Sequence, residues 1–308
     1  MAINSGSFAK ALWPGVDTWY GQAYDEHKVE YTDLFDTVTS KKAFEEDVGV
    51  SAFGLAPVKT EGGSITYDTE RQAFVTRYVH VAYGLGFIVT REIFDDDLYG
   101  VVGQRRAKGL AFSMRQTKET VAANVYNRAF DTSYLGGDGS TLIASAGGGS
   151  SNHPNFAGGT WTNGPSTASD LSEASLEQAC IDIMKFTDDR GLKIAVMPKC
   201  LIIPVDLVFD AERILKSTLR VATADNDSNA LKDMGKFPDG VKVNHYLSDT
   251  NAWFIRTNAQ NGMKCYNRRA MDFSIDNDFD TENAKFKATE RYSLGWTDAR
   301  CMYGSAGA

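Results

Sequence analysis

A polar stretch of strand-forming sequence between Leu55 and Thr90 constrains the possible folds of this chain more than any other feature. It is rich in β-branched and aromatic side chains, and Gly62-Gly63 offers a backbone reversal, so it predicts a long two-stranded ribbon. The part from Ala56 to Tyr83 mixes three acidic with three basic residues and has little aliphatic bulk on one consistent face. Because an isolated hairpin is only marginally stable in water, we expect another chain to complete the contacts of this ribbon.

The first 25 residues form a second segment that is poorly able to bury itself. Trp13, Trp19, Tyr20 and Tyr24 lie there among Gly, Ser and Pro, without the spacing of a helix or a strand. A group of aromatic rings is costly to leave in water, so we expect an extended arm that lies on another surface. A short strand is expected between Val29 and Thr39.

Residues 95–130 predict one long helix. Three carboxylates at 95–97 lie at its amino end, where the helix dipole favours them, and apolar residues recur at spacings of three and four. Between residues 105 and 128 six basic side chains stand against one acidic side chain, Glu119; the basic ones are Arg105, Arg106, Lys108, Arg115, Lys118 and Arg128. This pattern fits either a solvated helix face or a surface that meets a polyanion.

A glycine-rich segment and an α/β region follow this helix. Residues 131–169 contain nine glycines, and so long a loop is uncommon in a compact domain unless it has a use. Asp170-Leu-Ser-Glu173 matches a capping box that begins a helix, and Gly191 is expected to end it. The alternation of helices and strands over 170–255 predicts an α/β subdomain.

Further strands are expected in the second half of the chain. Lys193 to Val196 predicts a short buried strand that Pro198 breaks and Leu201 to Ile203 resumes. Pro204 is expected to open a helix that runs to Lys216. Several strands are predicted over 241–273, and one or two more over 285–303.

No catalytic or nucleotide-binding motif occurs in the sequence, so no catalytic, cofactor-binding or metal-binding residue is predicted. Asp276-Asn-Asp278-Phe-Asp280 resembles the start of a calcium loop, but Thr281 replaces the required glycine and Lys287 the closing carboxylate. We expect an acidic turn or edge strand there.

Four widely separated histidines are interpreted as surface or structural residues: His27, His80, His153 and His245. Four cysteines without metal-ligand spacing are interpreted as buried free thiols: Cys180, Cys200, Cys265 and Cys301.

Length and charge exclude further classes of protein. The 308 residues suffice for one large domain or two ordinary ones, and the formal net charge of −8 gives no overall attraction for nucleic acid or an anionic membrane. The most apolar stretch, Ile194 to Phe209, is interrupted by prolines and charges and is too short to span a bilayer. The first 20 residues lack the apolar run of a signal peptide. We therefore expect no membrane segment and an intracellular origin.

The order of these segments resembles that of the major capsid proteins of tailed bacteriophages, which have the Hong Kong 97-type fold. Local sequence resembles the group around the Mu-type major head subunit. Ile88-Val-Thr-Arg-Glu-Ile-Phe-Asp-Asp-Asp-Leu-Tyr99 is similar to that group's entry into the long helix, and Ala123-Asn-Val-Tyr-Asn-Arg-Ala-Phe130 to its exit. Further similar segments follow along the chain: Gly137-Asp-Gly139, Asn152-His-Pro154, Gly158-Gly159 and Met197-Pro-Lys-Cys-Leu-Ile-Ile-Pro204.

The resemblance implies an α+β fold of the Hong Kong 97 type. An amino-terminal arm would lie along a neighbouring subunit, an extended β-hairpin loop would reach over an adjacent subunit, and an α/β axial domain would lie at the centre of the ring. The implied boundaries are 1–25 for the arm, 26–52 for the first part of the peripheral domain, 53–83 for the extended loop, 84–169 for the peripheral domain with its spine helix 95–130 and glycine-rich loop, 170–260 for the axial domain, and 261–308 for a return to the peripheral domain.

The resemblance also implies a function, a location and partners. The chain would be a non-enzymatic capsid protein that assembles in the host bacterial cytoplasm into pentamers and hexamers, which form the icosahedral virion shell around double-stranded DNA. Its other partners would be a separate scaffolding protein, a portal and a decoration protein, with no sequence-specific DNA binding, no membrane and no cofactor. An encapsulin-like compartment shell and an α/β enzyme with an unrecognised site are the alternatives.

Particular residues acquire implied roles. Contacts between subunits are expected at Trp13, Trp19, Tyr20, Lys59, Glu61, Asp68, Arg71 and Arg77. The basic residues Arg105, Arg106, Lys108 and Arg115 would face the interior and its DNA, or would instead pair across subunit boundaries with Asp276, Asp278 or Asp280. Some relatives cross-link a lysine of this loop to a neighbour's asparagine; Lys59 is the only lysine in residues 53–83, and no cross-link is predicted.

Overall fold

Two four-stranded sheets, a two-stranded ribbon and a 29-residue helix dominate the described part of the chain. The structure is a computed structural model that describes residues 18, 20–90, 92, 99–144, 152–155, 158–219, 228–277 and 283–308. The helices are α1 (Tyr31–Leu34), α2 (Tyr99–Asn127), α3 (Glu173–Met184), α4 (Val208–Lys216) and α5 (Ala230–Met234). The strands are β1 (Asp36–Thr39), β2 (Phe44–Val50), β3 (Gln72–Val79), β4 (Val81–Val89), β5 (His153–Pro154), β6 (Thr160–Trp161), β7 (Pro198–Ile203), β8 (Val241–Val243), β9 (Trp253–Thr257), β10 (Met263–Asn277), β11 (Ala284–Trp296) and β12 (Met302–Ser305).

The first sheet has the strand order β1-β10-β11-β4 and carries the long helix α2. β10 and β11 form a long antiparallel pair, and β11 alternates buried and more exposed positions, as a strand with one covered face does. Leu110 and Met114 of α2 pack in one buried cluster with Phe273 of β10 and Phe286 of β11. Burial of these side chains holds the helix on the sheet.

The second sheet has the order β12-β9-β7-β8 and packs against α3, α4 and α5. Its central strand β7 is buried at five of six positions, because helices or neighbouring segments cover both faces. A further cluster, in which Tyr126 of α2 packs with Ile202 of β7 and Phe254 of β9, joins this sheet to the long helix. The two sheets therefore share apolar core.

Buried carboxylates fix the position of α2. Glu119 accepts hydrogen bonds from the backbone N–H groups of Glu30 (3.1 Å) and Tyr31 (2.8 Å), at the start of α1. Glu290 of β11 accepts one from the Tyr24 hydroxyl (2.5 Å) and one from Lys118 Nζ of α2 (3.3 Å). Because a buried charge needs partners, these contacts specify how the helix sits on the sheet.

The ribbon differs from the one that the sequence predicts. Its strands are β2 and β3, so the first strand begins at Phe44, outside the predicted Leu55–Thr90. The reversal at Gly62-Gly63 is confirmed, since Gly62 has φ +78° and Gly63 N–H donates to Thr60 O. β4, predicted as part of the ribbon, instead pairs with β11, where Phe87 stacks on Phe286.

Several element boundaries also differ from prediction. The capping box of α3 is formed by Ser172 and Ser175, and the helix ends at Met184. Gly191, expected to end that helix, has φ +81° and lies in a separate turn. The predicted strand at 193–196 is wrong: Ala195 has φ +50°, which no strand residue adopts, and β7 begins at Pro198. Residues 31–34 form a helical turn where only a strand was expected, and β1 follows it.

The carboxy-terminal strands are divided between the two sheets. β12 pairs with β9 in the second sheet, so the expected return of residues 261–308 to the helix-bearing sheet is wrong for this strand, whereas β10 and β11 lie in that sheet. α2 runs from Tyr99 to Asn127, so it ends three residues before the predicted end at Phe130, and residues 128–130 form a turn. The carboxylates at 95–97 lie outside the described residues.

Candidate self-association surfaces

The outer face of the ribbon is an exposed apolar surface. Cross-strand pairs place Phe44 opposite Val79, Glu46 opposite Arg77, and Val48 opposite Val75. The large apolar side chains exposed on these two strands are Phe44, Val48, Val50, Val75 and Val79. Arg77 lies 3.8 Å from the centre of the Phe44 ring and pairs with Glu46 at 3.6 Å. We call the side chains of these pairs, together with Val50, the ribbon face.

This face contradicts the expectation that the ribbon has little aliphatic bulk on one side. Three of the five exposed large apolar side chains of this face, Phe44, Val48 and Val50, lie outside the predicted ribbon. The strand alternation of residues 44–50 carries the signal that could have found it: Phe44, Glu46 and Val48 share one face, and Glu45 and Asp47 share the other.

The opposite face ties the base of the ribbon to the first sheet through Asp47. Its carboxylate accepts hydrogen bonds from Lys264 Nζ (2.5 Å), Thr297 Oγ1 (2.8 Å) and the Tyr266 hydroxyl (3.0 Å). Partial burial opposes ionisation of Asp47, but these donors outweigh burial, so its pKa lies below its ordinary value. The Tyr78 hydroxyl lies 2.6 Å from Thr297 Oγ1 and extends the same network.

Beyond β2 and β3, residues 51–71 form a loop that projects into solvent. Val58 is 95% and Tyr67 is 90% exposed, and Leu55 and Ile65 are also exposed. Gly54, Asp68 and Thr69 lie where the two arms of this loop come together, and we call them the neck of the loop. There Asp68 Oδ2 accepts hydrogen bonds from Gly54 N–H (2.8 Å) and Arg190 Nη1 (2.5 Å). The hydrogen bond from Gly54, followed by that from Arg190, lowers the pKa of Asp68 to about 2.

The structure places the expected contact residues in different environments. Lys59, Glu61, Arg71 and Arg77 are exposed on the loop and ribbon, and Asp68 is held in the neck. Trp13 and Trp19 lie outside the described residues.

Tyr20 is a correction to the expected contacts between subunits. Its side chain is fully buried and its ring stacks on Phe273 of β10 at 4.6 Å. The helical residues 20–26 therefore lie on their own subunit's sheet, because the Tyr20 ring is buried in the apolar cluster between that sheet and α2. Tyr24, in the same helical turn, donates to the buried Glu290.

The basic residues of α2 fall into two groups. Arg105, Arg106 and Lys108 are exposed, and Arg106 Nη1 donates to Ile88 O at 2.7 Å. Arg115 was expected to face the interior of a shell, and that is wrong: it is buried. Its guanidinium lies 3.8 Å from the Tyr24 ring centre and donates to Tyr24 O.

Arg115 is buried because it shares a face of α2 with Ala111 and Glu119, which lie one helical turn away on either side and are both buried. Lys118, one turn further on, is also buried and pairs with Glu290. The alternative pairing of basic residues with Asp278 or Asp280 lies outside the described residues, and Asp276 has an interaction of its own.

The glycine-rich segment is fixed by a buried amide that the sequence did not single out. Asn163 Oδ1 accepts hydrogen bonds from Ala144 N–H (2.8 Å) and His153 Nε2 (3.2 Å). Its Nδ2 faces three carbonyl oxygens, those of Leu142 (2.8 Å), Met302 (3.0 Å) and Ala299 (3.1 Å). Asn163 thereby joins the glycine-rich segment to the start of β12.

The histidines and cysteines match their predicted structural roles. His80 lies 2.9 Å from Ser293 Oγ, and His153 lies 2.7 Å from Asp138 Oδ2; both are buried. All four cysteines are free and buried, which confirms the sequence interpretation. Burial raises the pKa of the Cys180 and Cys265 thiols to about 11.

Neither a cluster of metal ligands nor a membrane-spanning helix occurs among the described residues. Within the described residues, no group of three or more His, Cys, Asp or Glu side chains is placed to hold a metal ion. None of the helices in the described part of the chain combines the length and the apolar character needed to cross a bilayer.

Comparison with known proteins adds a family and a fold. A family model described as phage capsid protein matches residues 73–305. The capsid of an empty GTA particle is 13% identical with a TM-score of 0.54, covering 91% of this chain and 90% of that one. A procapsid protein of bacteriophage JBD30 is 11% identical with a TM-score of 0.53, covering 98% and 76%.

A virus-like particle from Pyrococcus furiosus is 12% identical with a TM-score of 0.51, covering 94% of this chain and 97% of that one. At these identities the structural similarity is one of fold. No curated protein matches the chain by sequence.

Proposed function

Since this chain belongs to the phage capsid protein family and has the Hong Kong 97-type fold of tailed-phage major capsid proteins, we propose that its copies associate through their ribbons and extended loops into pentamers and hexamers. Its function is that of a major capsid protein, and its place is the capsid of the virion. The family is a structural one, and we predict no enzymatic activity.

The single observation that supports the ribbon as the assembly element is its exposed apolar face. Val48 and Val75 form a cross-strand pair on the outer side of a two-stranded ribbon, where they remain 46% and 37% exposed in the described subunit. A two-stranded ribbon gains stability when another surface packs on it. Burial contributes about 25 cal/mol per Å² of apolar area, and a ring repeats the contact at every subunit, so a modest pairwise contact suffices for a stable shell.

The remaining segments receive roles within this proposal. The arm before Tyr20 would lie along a neighbouring subunit, and the extended loop within residues 53–83 would reach over an adjacent one. The axial part, residues 170–260, would meet at the centre of the ring. This part has exposed apolar side chains, among them Val205, which lies just before α4, and Phe209, in the first turn of α4.

The proposed shell encloses double-stranded DNA and forms in the host cytoplasm with a separate scaffolding protein, a portal and a decoration protein. The formal net charge of −8 supports weak, sequence-independent contact with the enclosed polyanion. An encapsulin-like compartment has less support, because the matching family model is that of phage capsid proteins.

The test replaces one valine of the ribbon face with a charge. Val48→Glu is compared with the parent and with Val38→Glu, in which a valine on the edge strand β1 is exposed to a similar extent (42% against 46%). Each protein is coexpressed with the genes that neighbour its own, and extracts are examined by negative-stain electron microscopy and by sedimentation.

We expect the parent and Val38→Glu to form particles, and Val48→Glu to remain as free subunits with an unchanged thermal unfolding midpoint. Equal particle yields from Val48→Glu and the parent would overturn the role of the ribbon face. A parent that stays monomeric at all concentrations, without particles in any extract, would count against the assembly proposal itself. Particles that form without a scaffold around an enzyme cargo would instead favour an encapsulin-like shell.

A further inference from the structure

Arg190 joins the extended loop to a distant part of the same chain. Its Nη1 donates to Asp68 Oδ2 (2.5 Å), and its Nη2 donates to the backbone oxygen of Thr69 (2.8 Å). Asp68 and Thr69 lie at the neck of the loop, whereas Arg190 lies between α3 and β7 in the α/β region. The contact thus joins residues 122 positions apart in the sequence. It links the loop to the α/β region, which the pairing of β2 with β3 does not do.

The Arg190 side chain starts from a turn that is itself well fixed. Asp188 Oδ1 accepts hydrogen bonds from the backbone N–H groups of Arg190 (2.9 Å) and Leu192 (2.8 Å), and Asp188 N–H donates to Leu192 O (2.7 Å). Gly191 supplies the positive φ of +81° that this turn requires. A guanidinium on so constrained a backbone offers its two donor groups in a defined direction.

The neck of the loop receives these donors in an equally defined way. Asp68 Oδ1 accepts from Thr69 N–H and Oδ2 from Gly54 N–H, both at 2.8 Å, so the carboxylate bridges the two arms of the loop. Below the neck, the two arms also pair at Ser51 and Arg71. Within residues 55–67, all of which are described, the structure shows one hydrogen bond, from Gly63 N–H to Thr60 O.

A pivot lies just below the neck. The register of β2 and β3 shifts between Val48 and Val50, and a bulge of this kind bends a ribbon and disrupts its ladder. If nothing connected the segment beyond the bulge to the body of the subunit, the loop could change its direction by bending at the bulge. Among the described contacts, Arg190 is the one that ties the neck to the α/β region across this pivot.

The apolar side chains of the loop stay exposed while this contact is closed. Val58 and Tyr67 are at least nine-tenths exposed, and Leu55 and Ile65 are mostly exposed. The contact therefore does not hide the surface that a neighbour would meet, which argues against autoinhibition and for preorganisation. Holding a binding element in one direction before the partner arrives lowers the entropy lost on association.

We infer that Arg190 is a positioning residue for assembly: it holds the neck of the extended loop through Asp68 and Thr69, and so directs the loop toward its neighbour before that neighbour binds. This inference rests on the proposed function of the loop in self-association. The pair is solvent-exposed, so its geometric effect on the loop matters more than its contribution to stability.

The direction of the loop is measured first in unassembled subunits. Spin labels are placed at Thr60→Cys, in the turn of the loop, and at Lys199→Cys, at the start of β7; the four native cysteines are buried. Distance distributions from pulsed electron paramagnetic resonance are compared for the parent, Arg190→Gln and the control Arg213→Gln, which removes a guanidinium paired with Asp210 on α4. We expect a narrow distribution for the parent and for Arg213→Gln, and a distribution at least twice as wide for Arg190→Gln.

Assembly is measured next with the unlabelled proteins, by light scattering and electron microscopy under the conditions in which the parent forms particles. We expect Arg190→Gln to slow assembly by about tenfold. Arg190→Lys is expected to slow it less, because lysine keeps the charge toward Asp68 but cannot offer the paired donors that also reach Thr69 O.

The outcomes separate this inference from the proposed function. An unchanged distance distribution in Arg190→Gln would overturn the positioning role, and so would a broad distribution combined with parent-like assembly. In both cases the loop could still contact its neighbour, so the proposed function would stand. A parent that forms no particles, with a narrow distance distribution, would instead overturn the proposed function.

Discussion

At the scale of single residues, buried polar groups determine how distant segments meet. Asn163 is fully buried and joins the glycine-rich segment to the start of β12 through both atoms of its amide. The sequence showed a polar, glycine-rich loop with no periodic pattern, and it gave no reason to single out this asparagine. Its role depends on carbonyl groups more than 130 residues away, which no local pattern reveals.

Asn163→Ala is therefore expected to destabilise the subunit by about 3 kcal/mol, because it leaves several buried backbone groups without partners. Urea-induced unfolding of the unassembled subunit measures the change. The matched control is Asn152→Ala, which removes an exposed amide from the same segment and is expected to change the free energy of unfolding by less than about 0.5 kcal/mol. Equal effects of the two substitutions would contradict the structural role of Asn163.

Asp68 gives a prediction about pH at the same scale. Its pKa falls from 3.8 to about 2, mainly through the Gly54 hydrogen bond and then through Arg190. Since the folded-state value is the lower one, the stabilisation of the neck is complete above about pH 3.8 and is lost as the pH falls through about 2. The carboxyl ¹³C shift of Asp68, assigned with Asp68→Asn, should thus stay at its ionised value down to about pH 3.

Arg190→Gln is expected to move that titration midpoint upward, though not fully to 3.8, because the Gly54 hydrogen bond remains. A midpoint near 3.8 in the parent would show that the neck of the loop is open in solution.

At the scale of elements, helix periodicity was the more reliable guide and strand pairing the less reliable one. The spacing of apolar residues predicts a long helix over 95–130, and α2 occupies residues 99–127 of it. The ribbon was predicted from residues 55–90, yet its strands are β2 and β3, and β4 pairs with β11. Helix spacing is decided by neighbours along the chain, whereas a strand takes the partner that best buries its side chains.

The buried charges between α2 and β11 yield a prediction for these elements. Glu290→Gln leaves the ammonium of Lys118 buried without a counter-charge, so we expect a loss of about 3–5 kcal/mol in the free energy of unfolding. Urea-induced unfolding measures this loss. Glu212→Gln is the control, because it breaks the exposed pair of Glu212 with Lys216 on α4, and we expect a change within about 0.5 kcal/mol. A parent-like stability for Glu290→Gln would mean that Lys118 reaches water.

At the scale of the whole molecule, the chain couples two sheets through a common core and leaves the ribbon and loop outside it. Tyr126 of α2 packs with Ile202 and Phe254 of the second sheet, and β12 returns the carboxy-terminal segment to that sheet. Within the described residues, the subunit thus has a coupled body from which the ribbon and its loop project. This shape suits repeated contacts around a ring, because the body keeps its form while the ribbon and loop meet a neighbour.

A prediction about DNA belongs to this scale, since it concerns which side of the subunit faces the interior. Arg105 and Lys108 remain candidates for that side because both are exposed on α2, whereas Arg115 is buried. The double variant Arg105→Gln with Lys108→Gln is expected to form shells of parent-like size that hold less DNA, measured as the ratio of absorbance at 260 and 280 nm in purified particles.

Lys216→Gln, which removes one exposed charge of α4, is the control and is expected to leave the DNA content unchanged. Unchanged DNA content in the double variant would place these two side chains away from the packaged genome.

The sequence by itself determined which segments could not bury themselves, the position of the long helix, the α/β character of residues 170–255 and the family that this order of segments resembles. These properties follow from local composition and periodicity, which each segment carries with it. Only the tertiary structure decided that Tyr20 lies in its own subunit's core, that Arg115 is covered, and that Phe44, Val48 and Val50 complete the ribbon face. Those outcomes depend on which distant surfaces bury a side chain best, and that choice is made by the packing of the whole chain.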